Sequence, residues 1–289
     1  MMSVITFARS NALPLLRTSI TARIQSTTAS LSSLVRVEDK QGYAVVSMHK
    51  PPVNSLSLEM IQALSESLSE LEKNKCKGFI LTSACPGIFS AGLDIREMYQ
   101  PTEGRLKEFW SSLQTLWLQL YGSKMASVAL INVRICHAPA GGCLLAMCCD
   151  SRIMVNGKAK IGLNETKLGI VAPFWFKDTF VNTIGVRQSE RALQLGSLFS
   201  PEEALKIGLV DRVLPDTEAA TAVAESELKE FLQIPAMARY LSKMRIREAA
   251  LKGLVENRET DLNTFVNFAT TDAVQKGLGI YLQSLAKKN

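Results

Sequence analysis

The 289-residue chain reads as an α/β fold whose strands are joined by βα-type crossovers. Three observations predict it. Short apolar runs recur along the first two thirds of the chain, each bounded by Gly, Pro, Ser or Asn. Between them lie stretches in which apolar residues repeat at helical spacing. From about Pro235 the strand-like runs stop, and the remainder is helical and rich in lysine and arginine, including Lys243, Arg245, Arg247 and Lys252. With 47% hydrophobic residues the chain can bury a sizeable core.

Tyr43-Ala44-Val45-Val46-Ser47-Met48 reads as the first of these strands. Met60, Ile61, Leu64, Leu68 and Leu71 then share one helical face, with Ser57 as N-cap. Phe79-Ile80-Leu81-Thr82 is a buried strand. Leu106, Phe109, Trp110, Leu113, Leu116, Trp117 and Leu120 form a helical stripe ending at Gly122, and its two tryptophans read as core rather than as a cofactor platform. Strand Ser127–Ile131 leads to a glycine-led helix from Gly141 to Met147, followed by strand Arg152–Val155. A short helix from Pro201 to Gly208 and a strand at Leu209-Val210 complete the alternating part. The expected organisation is a leader over 1–35, an α/β core over 36–234 and a helical region over 235–289.

Charged residues make up 21%, and no apolar run approaches the ~18 residues needed to cross a bilayer. The net charge of +6 is unevenly placed: residues 1–35 hold Arg9, Arg17 and Arg23 with no acid, so the rest carries only +3. That mild excess, without Lys/Arg clusters among aromatics, argues against a nucleic-acid partner. The Ser/Thr-rich, acid-free start reads as a mitochondrial transit peptide, which predicts residence in the mitochondrial matrix. The six cysteines show no CxxC or metal spacing and only two histidines exist, which predicts free thiols and no metal.

Three local patterns carry chemistry. Phe89-Ser90-Ala91-Gly92-Leu93-Asp94-Ile95 follows a strand and a turn, and its small residues let a ligand approach backbone amides where a helix is expected to begin at Asp94. Pro139-Ala140-Gly141-Gly142-Cys143 opens another helix after another strand and offers a second free amide. Asn164-Glu165 supplies a carboxylate ahead of the apolar Ala172-Pro173-Phe174-Trp175-Phe176. Such surroundings strip a glutamate of hydration and raise its pKa toward that of a general base. Two amides converging on one oxygen would stabilise charge developing on a carbonyl.

In this combination and order the chain resembles the crotonase, or enoyl-CoA hydratase/isomerase, superfamily. The resemblance runs from about Val35 to Val213 and includes Cys149-Asp150 and Ala204-Leu205-Lys206-Ile207-Gly208-Leu209-Val210. Leu163-Asn164-Glu165-Thr166, Leu168-Gly169-Ile170 and Ala172-Pro173-Phe174-Trp175 are most similar to its mitochondrial Δ3,Δ2-enoyl-CoA isomerase branch. It implies a spiral of ββα units, a C-terminal helical part that helps form homotrimers, an acyl-CoA thioester as substrate and no separate cofactor. Carried onto these residues, it puts the Leu93 and Gly141 amides in an oxyanion hole. Ala91 would lie near the adenine, in a substrate-binding loop with Gly92, Leu93, Asp94 and Ile95. Asn164 would lie by the acyl chain, and Glu165 would be the proton shuttle.

Leu144 stands where hydratases of the superfamily carry a second glutamate. Hydration needs a water held between two groups, whereas a double-bond shift needs one base that takes a proton and returns it nearby. The single acid therefore favours an isomerase over a hydratase. One departure stands against the pattern: six residues, Val133 to Ala138, separate Asn132 from Pro139, about three more than the family carries, and the usual glycine is missing. Either the loop tolerates the extra length, or Gly141 is displaced and the chain is a catalytically impaired acyl-CoA binder.

Overall fold

The computed structural model describes residues 33–133 and 138–286. The leader read over 1–35 lies almost wholly outside this range, as do Arg134, Ile135, Cys136 and His137 of the lengthened loop.

Strands β1 (Val35–Asp39) and β2 (Ala44–Met48) pair antiparallel, with Val37 opposite Val46. Helix α1 (Leu58–Lys73) then crosses to β3 (Gly78–Ser83), and α2 (Glu103–Tyr121) crosses to β4 (Ala126–Ile131). A two-residue strand β5 (Ala138–Pro139) leads into α3 (Gly141–Cys148), followed by β6 (Ser151–Val155) and the short β7 (Ile161–Gly162). Helices α4 (Phe174–Ile184), α5 (Val186–Leu195) and α6 (Pro201–Lys206) precede β8 (Arg212–Leu214), and α7 (Thr217–Gln233) follows it. Two further helices close the chain, α8 (Ala236–Ala269) and α9 (Asp272–Ala286).

The main sheet has the order β1-β2-β3-β4-β6-β8 and is parallel from β2 onward; β5 and β7 form a separate parallel pair. Every residue of β3, β4 and β6 is buried, as expected of parallel strands covered on both faces. Their side chains alternate between two cores. Ile80, Val128 and Ile153 pack against Ala220, Ala224 and Leu228 of α7. Phe79, Leu81, Ala129 and Met154 face the larger core, which also takes Ala250 and Leu254 of α8 and Leu278 of α9.

Local differences from the sequence reading have identifiable causes. Ser57 occupies the N-cap of α1 without a side-chain cap bond, and the first helical N–H, that of Leu58, donates to Glu97 Oε1 (3.1 Å). At Asp94 only a single 3-10 turn begins, Ile95–Glu97, and Asp94 caps it by accepting from the Arg96 N–H. Leu209 and Val210 are buried but not in a strand: both their N–H groups donate to Ala204 O, closing α6, and the strand starts at Arg212. The apolar run after Ala172 is the first turn of α4, with Pro173 at its N-cap.

Asp261 of α8 ties three elements together. Its Oδ2 accepts from Trp110 Nε1 (2.7 Å) and Gln114 Nε2 (2.8 Å) of α2 and from Trp175 Nε1 (3.2 Å) of α4. Helix α8 bends four residues earlier, at Asn257 (φ −114°, ψ 17°), where the Asn257 side chain donates to Gly253 O (2.9 Å). Removing the carboxylate would orphan three donors in a cluster of indole rings. Asp261→Ala should therefore lower the unfolding free energy by about 2–4 kcal/mol, and Asp261→Asn, which keeps an acceptor, by less. Urea unfolding that gives both variants wild-type stability would remove this carboxylate as a tie.

Candidate active site

The chemical motifs meet beyond the carboxyl ends of β3 and β4, where open α/β sheets place their ligands. The segment after β3 is stitched to residues 53–56: Ala91 N donates to Val53 O (2.9 Å), Leu56 N to Gly92 O (2.9 Å) and Asp94 N to Leu56 O (3.1 Å). This parallel bridge passes over Leu93, whose own N–H finds no acceptor among the described residues. On the other side, Ala138 N donates to Lys160 O (2.8 Å) and Ala140 N to Gly162 O (2.9 Å), which fixes the entrance to α3. Ala140 turns the chain with φ +48° and ψ −118°, a conformation rarely adopted by a residue with a Cβ. The next N–H, that of Gly141, likewise has no acceptor among the described residues.

These two segments touch. A Cβ added to Gly92 would lie 2.9 Å from Pro139 O and 3.2 Å from Gly141 N, and one added to Gly141 would lie 3.2 Å from Leu93 N. Glycine at both positions is thus what lets the two unpaired amides stand side by side, and Gly92 also holds φ +86°.

Glu165 opens the 3-10 turn Glu165–Leu168 that follows β7. It is 8% exposed, and neither carboxylate oxygen has a hydrogen-bond partner. Burial pushes its pKa from the ordinary 4.5 up to about 7. The neighbouring Asn164 Oδ1 is also buried and unpaired.

One cavity joins these groups. Ala91, Leu93, Ile95, Ala140, Asn164 and Glu165 line one side of it. Of the remaining residues read from the sequence, Gly92 and Gly141 lie behind this wall. Asp94 faces elsewhere, accepting from Lys50 Nζ (3.2 Å) and Ser55 Oγ (3.0 Å). The opposite wall is apolar, with Met98, Ile170, Phe176 and Phe265, and Tyr281 adds a phenol. Trp110 is both core and wall: it is buried, and its ring stacks on Phe265 at 3.5 Å and 6°. Phe265 and Tyr281 come from α8 and α9 and carry no local sequence signal, because only the tertiary fold brings them to Glu165. Glu165 is the one carboxylate lining this cavity among the described residues, and Leu144 lies in the core rather than on its wall.

Comparison with known proteins agrees with this architecture. The chain is 51% identical over 257 residues to the mouse protein "Enoyl-CoA delta isomerase 1, mitochondrial", covering 88% of each chain. Among solved structures, the human mitochondrial delta3-delta2-enoyl-CoA isomerase superposes with a TM-score of 0.85 at 47% identity, covering 89% of this chain and 99% of that one. An enoyl-CoA hydratase from Bacillus halodurans superposes with a TM-score of 0.77 at 25% identity, covering 86% of this chain and 100% of that one. The model of the enoyl-CoA hydratase/isomerase family matches residues 38–288. A crotonase-type sheet and a match over nearly the whole described chain lead to one conclusion: the protein belongs to the enoyl-CoA hydratase/isomerase family.

Proposed function

We propose that the protein is a Δ3,Δ2-enoyl-CoA isomerase in which Glu165 carries one proton between two carbons of the substrate. The reading rests above all on a lone buried carboxylate, with a pKa of about 7, in a cavity lined by Leu93, whose unpaired backbone amide adjoins the unpaired amide of Gly141. A thioester C2–H is weakly acidic, and its removal becomes feasible when the oxygen that gains charge meets preorganised donors. The Leu93 and Gly141 N–H groups would be those donors. Glu165 would take a C2 proton from a 3-enoyl-CoA, the charge would spread to C4, and the same carboxyl would return the proton there. The product is a trans-2-enoyl-CoA. An isomerisation of this kind has no net redox change and calls for no cofactor beyond the CoA of its substrate.

The cavity wall favours this over hydration. A hydratase needs a second group to hold and activate water, and no other carboxylate lines the cavity among the described residues. Asn164 would lie along the acyl chain, and Ala91 near the adenine of the bound CoA, with Ile95 in the same substrate-binding loop. Competence despite the lengthened loop is supported by its described ends: Ala138 pairs with Ile161, Pro139 with Gly162, and Gly141 stays against Leu93. The acid-free leader and the mitochondrial relatives put the protein in the mitochondrion. A homotrimer is supported by exposed Ile234, Met237 and Leu241 where α8 begins. Light scattering should give three times the chain mass, and a monomer would refute that assembly.

Glu165→Gln should bind acyl-CoA but lose kcat for 3-hexenoyl-CoA by about 1,000-fold. In the wild type kcat/KM should fall as pH drops below about 7, because the protonated acid of the free enzyme cannot accept the C2 proton. Near-normal turnover by the variant would remove Glu165 from the chemistry, and efficient hydration of crotonyl-CoA by the wild type would favour a hydratase.

The same carboxyl predicts a stability trend. A folded pKa above the unfolded value means that stability is present in full below about 4.5 and is lost as pH rises through about 7. The melting temperature of Glu165→Gln should therefore gain on that of the wild type between pH 5 and pH 8. A gap that does not widen would mean the carboxylate is not buried as described.

A further inference from the structure

Helix α3 has eight residues, Gly-Gly-Cys-Leu-Leu-Ala-Met-Cys, all buried. None carries a side chain that forms strong hydrogen bonds, so lateral packing, which is non-directional, leaves its position along its own axis to bonds at its ends. The leading Gly141 N–H must remain unpaired if it is to meet a ligand; the residue before it is held by the Ala140 N–H donating to Gly162 O (2.9 Å), and the trailing end needs an anchor of its own. There Arg247 of α8 supplies it. Its Nη1 donates to Cys148 O (2.8 Å) and to Tyr121 O at the end of α2 (3.0 Å), and its Nη2 donates to Cys149 O (3.1 Å).

The guanidinium is itself held. It lies 4.4 Å from the centre of the Tyr121 ring, its side chain is 12% exposed, and Nη2 is 3.6 Å from Asp150 Oδ1. Asp150 in turn is paired with Lys243 (2.8 Å) and accepts from Ser127 N at the start of β4 (3.0 Å). Arg152 Nη1 makes one longer bond to Cys149 O (3.3 Å). A cation at a helix C-terminus also complements the helix dipole without competing for the N–H groups at the other end.

We propose that Arg247 is a positioning residue for the reaction: by gripping the Cys148 and Cys149 carbonyls it fixes where the Gly141 N–H meets the thioester oxygen, about 10 Å away along the helix. This rests on the oxyanion role proposed above for Leu93 and Gly141. A shift of α3 by a fraction of an ångström would lengthen one of two hydrogen bonds on which the developing charge depends.

The test uses the full chain with hexanoyl-CoA carrying 13C at the thioester carbon, followed by isotope-edited infrared difference spectroscopy alongside kinetics. In the wild type, binding should move the carbonyl stretch to lower wavenumber. In Arg247→Met most of that movement should vanish and kcat should fall about 10- to 100-fold, while affinity for hexanoyl-CoA stays at the wild-type level. Arg247→Lys keeps the charge but cannot fork across two carbonyls, and it should give an intermediate carbonyl position and an intermediate kcat. It carries the test alone if Arg247→Met does not fold. A carbonyl stretch and kcat unchanged from wild type in a folded variant overturn the proposal, even if the melting temperature drops. A wild-type carbonyl that does not move on binding overturns the oxyanion role itself, and this proposal with it.

Discussion

A buried carboxylate that accepts no hydrogen bond from the protein is costly, and it persists only where the surroundings cannot rearrange to supply a donor. Glu165 sets that constraint on the rest of the molecule. Its turn is anchored by β7, which pairs with β5, so the acid and the entrance to α3 are positioned by one two-stranded ladder. The cavity walls around the acid are aromatic and aliphatic, and they come from α2, α8 and α9 as well as from the α4 region. The bond set at Asp261 matters here because it fixes the Trp110 ring that forms part of that wall, and through Trp175 it fixes the helix that carries Phe176. The ordering of the acid's environment thus extends well beyond its immediate neighbours.

The two unpaired amides impose a second cost of the same kind. Leu93 is spared a partner because the parallel bridge with Leu56 bonds the residues on either side of it. Gly141 is spared one because it leads a helix. Backbone polar groups left free in this way persist where tertiary structure overrides them, and Ala140, strained at φ +48°, shows that the surroundings dictate the turn. Free donors, a strained turn and an unpaired acid within one small volume are what a site organised around a transient anion requires.

The near half of the site was legible because each of its parts is a short contiguous motif: Ala91 to Ile95, Pro139 to Cys143 and Asn164-Glu165 declare their turn chemistry and their carboxylate locally. The alternation of strands and helices likewise reflects periodicity within single elements. What could not be read was whatever depends on a distant partner. Phe265 and Tyr281 look like ordinary helical positions until α8 and α9 fold over Glu165. Ser57 has the chemistry of a cap but makes no cap bond, and Glu97, forty residues on, accepts the first N–H of the helix instead. Leu209 and Val210 have strand-like side chains, yet the closure of α6 on Ala204 claims their N–H groups.

The bend of α8 at Asn257 divides one helix between two tasks. The limb before it carries Lys243 and Arg247, at the rear of α3; the limb after it carries Asp261 and Phe265, at the cavity. Each added residue turns a helix by about 100°. A one-residue insertion within either limb would swing the remainder of that limb off its target, and the non-helical residue at 257 offers the one place in α8 where such a slip could be absorbed. Length variation among relatives should therefore collect at this joint and be depleted on both sides of it. From Lys243 to Arg247 before the joint, and from Asp261 to Phe265 after it, the count of residues is under nearly as much constraint as their identity.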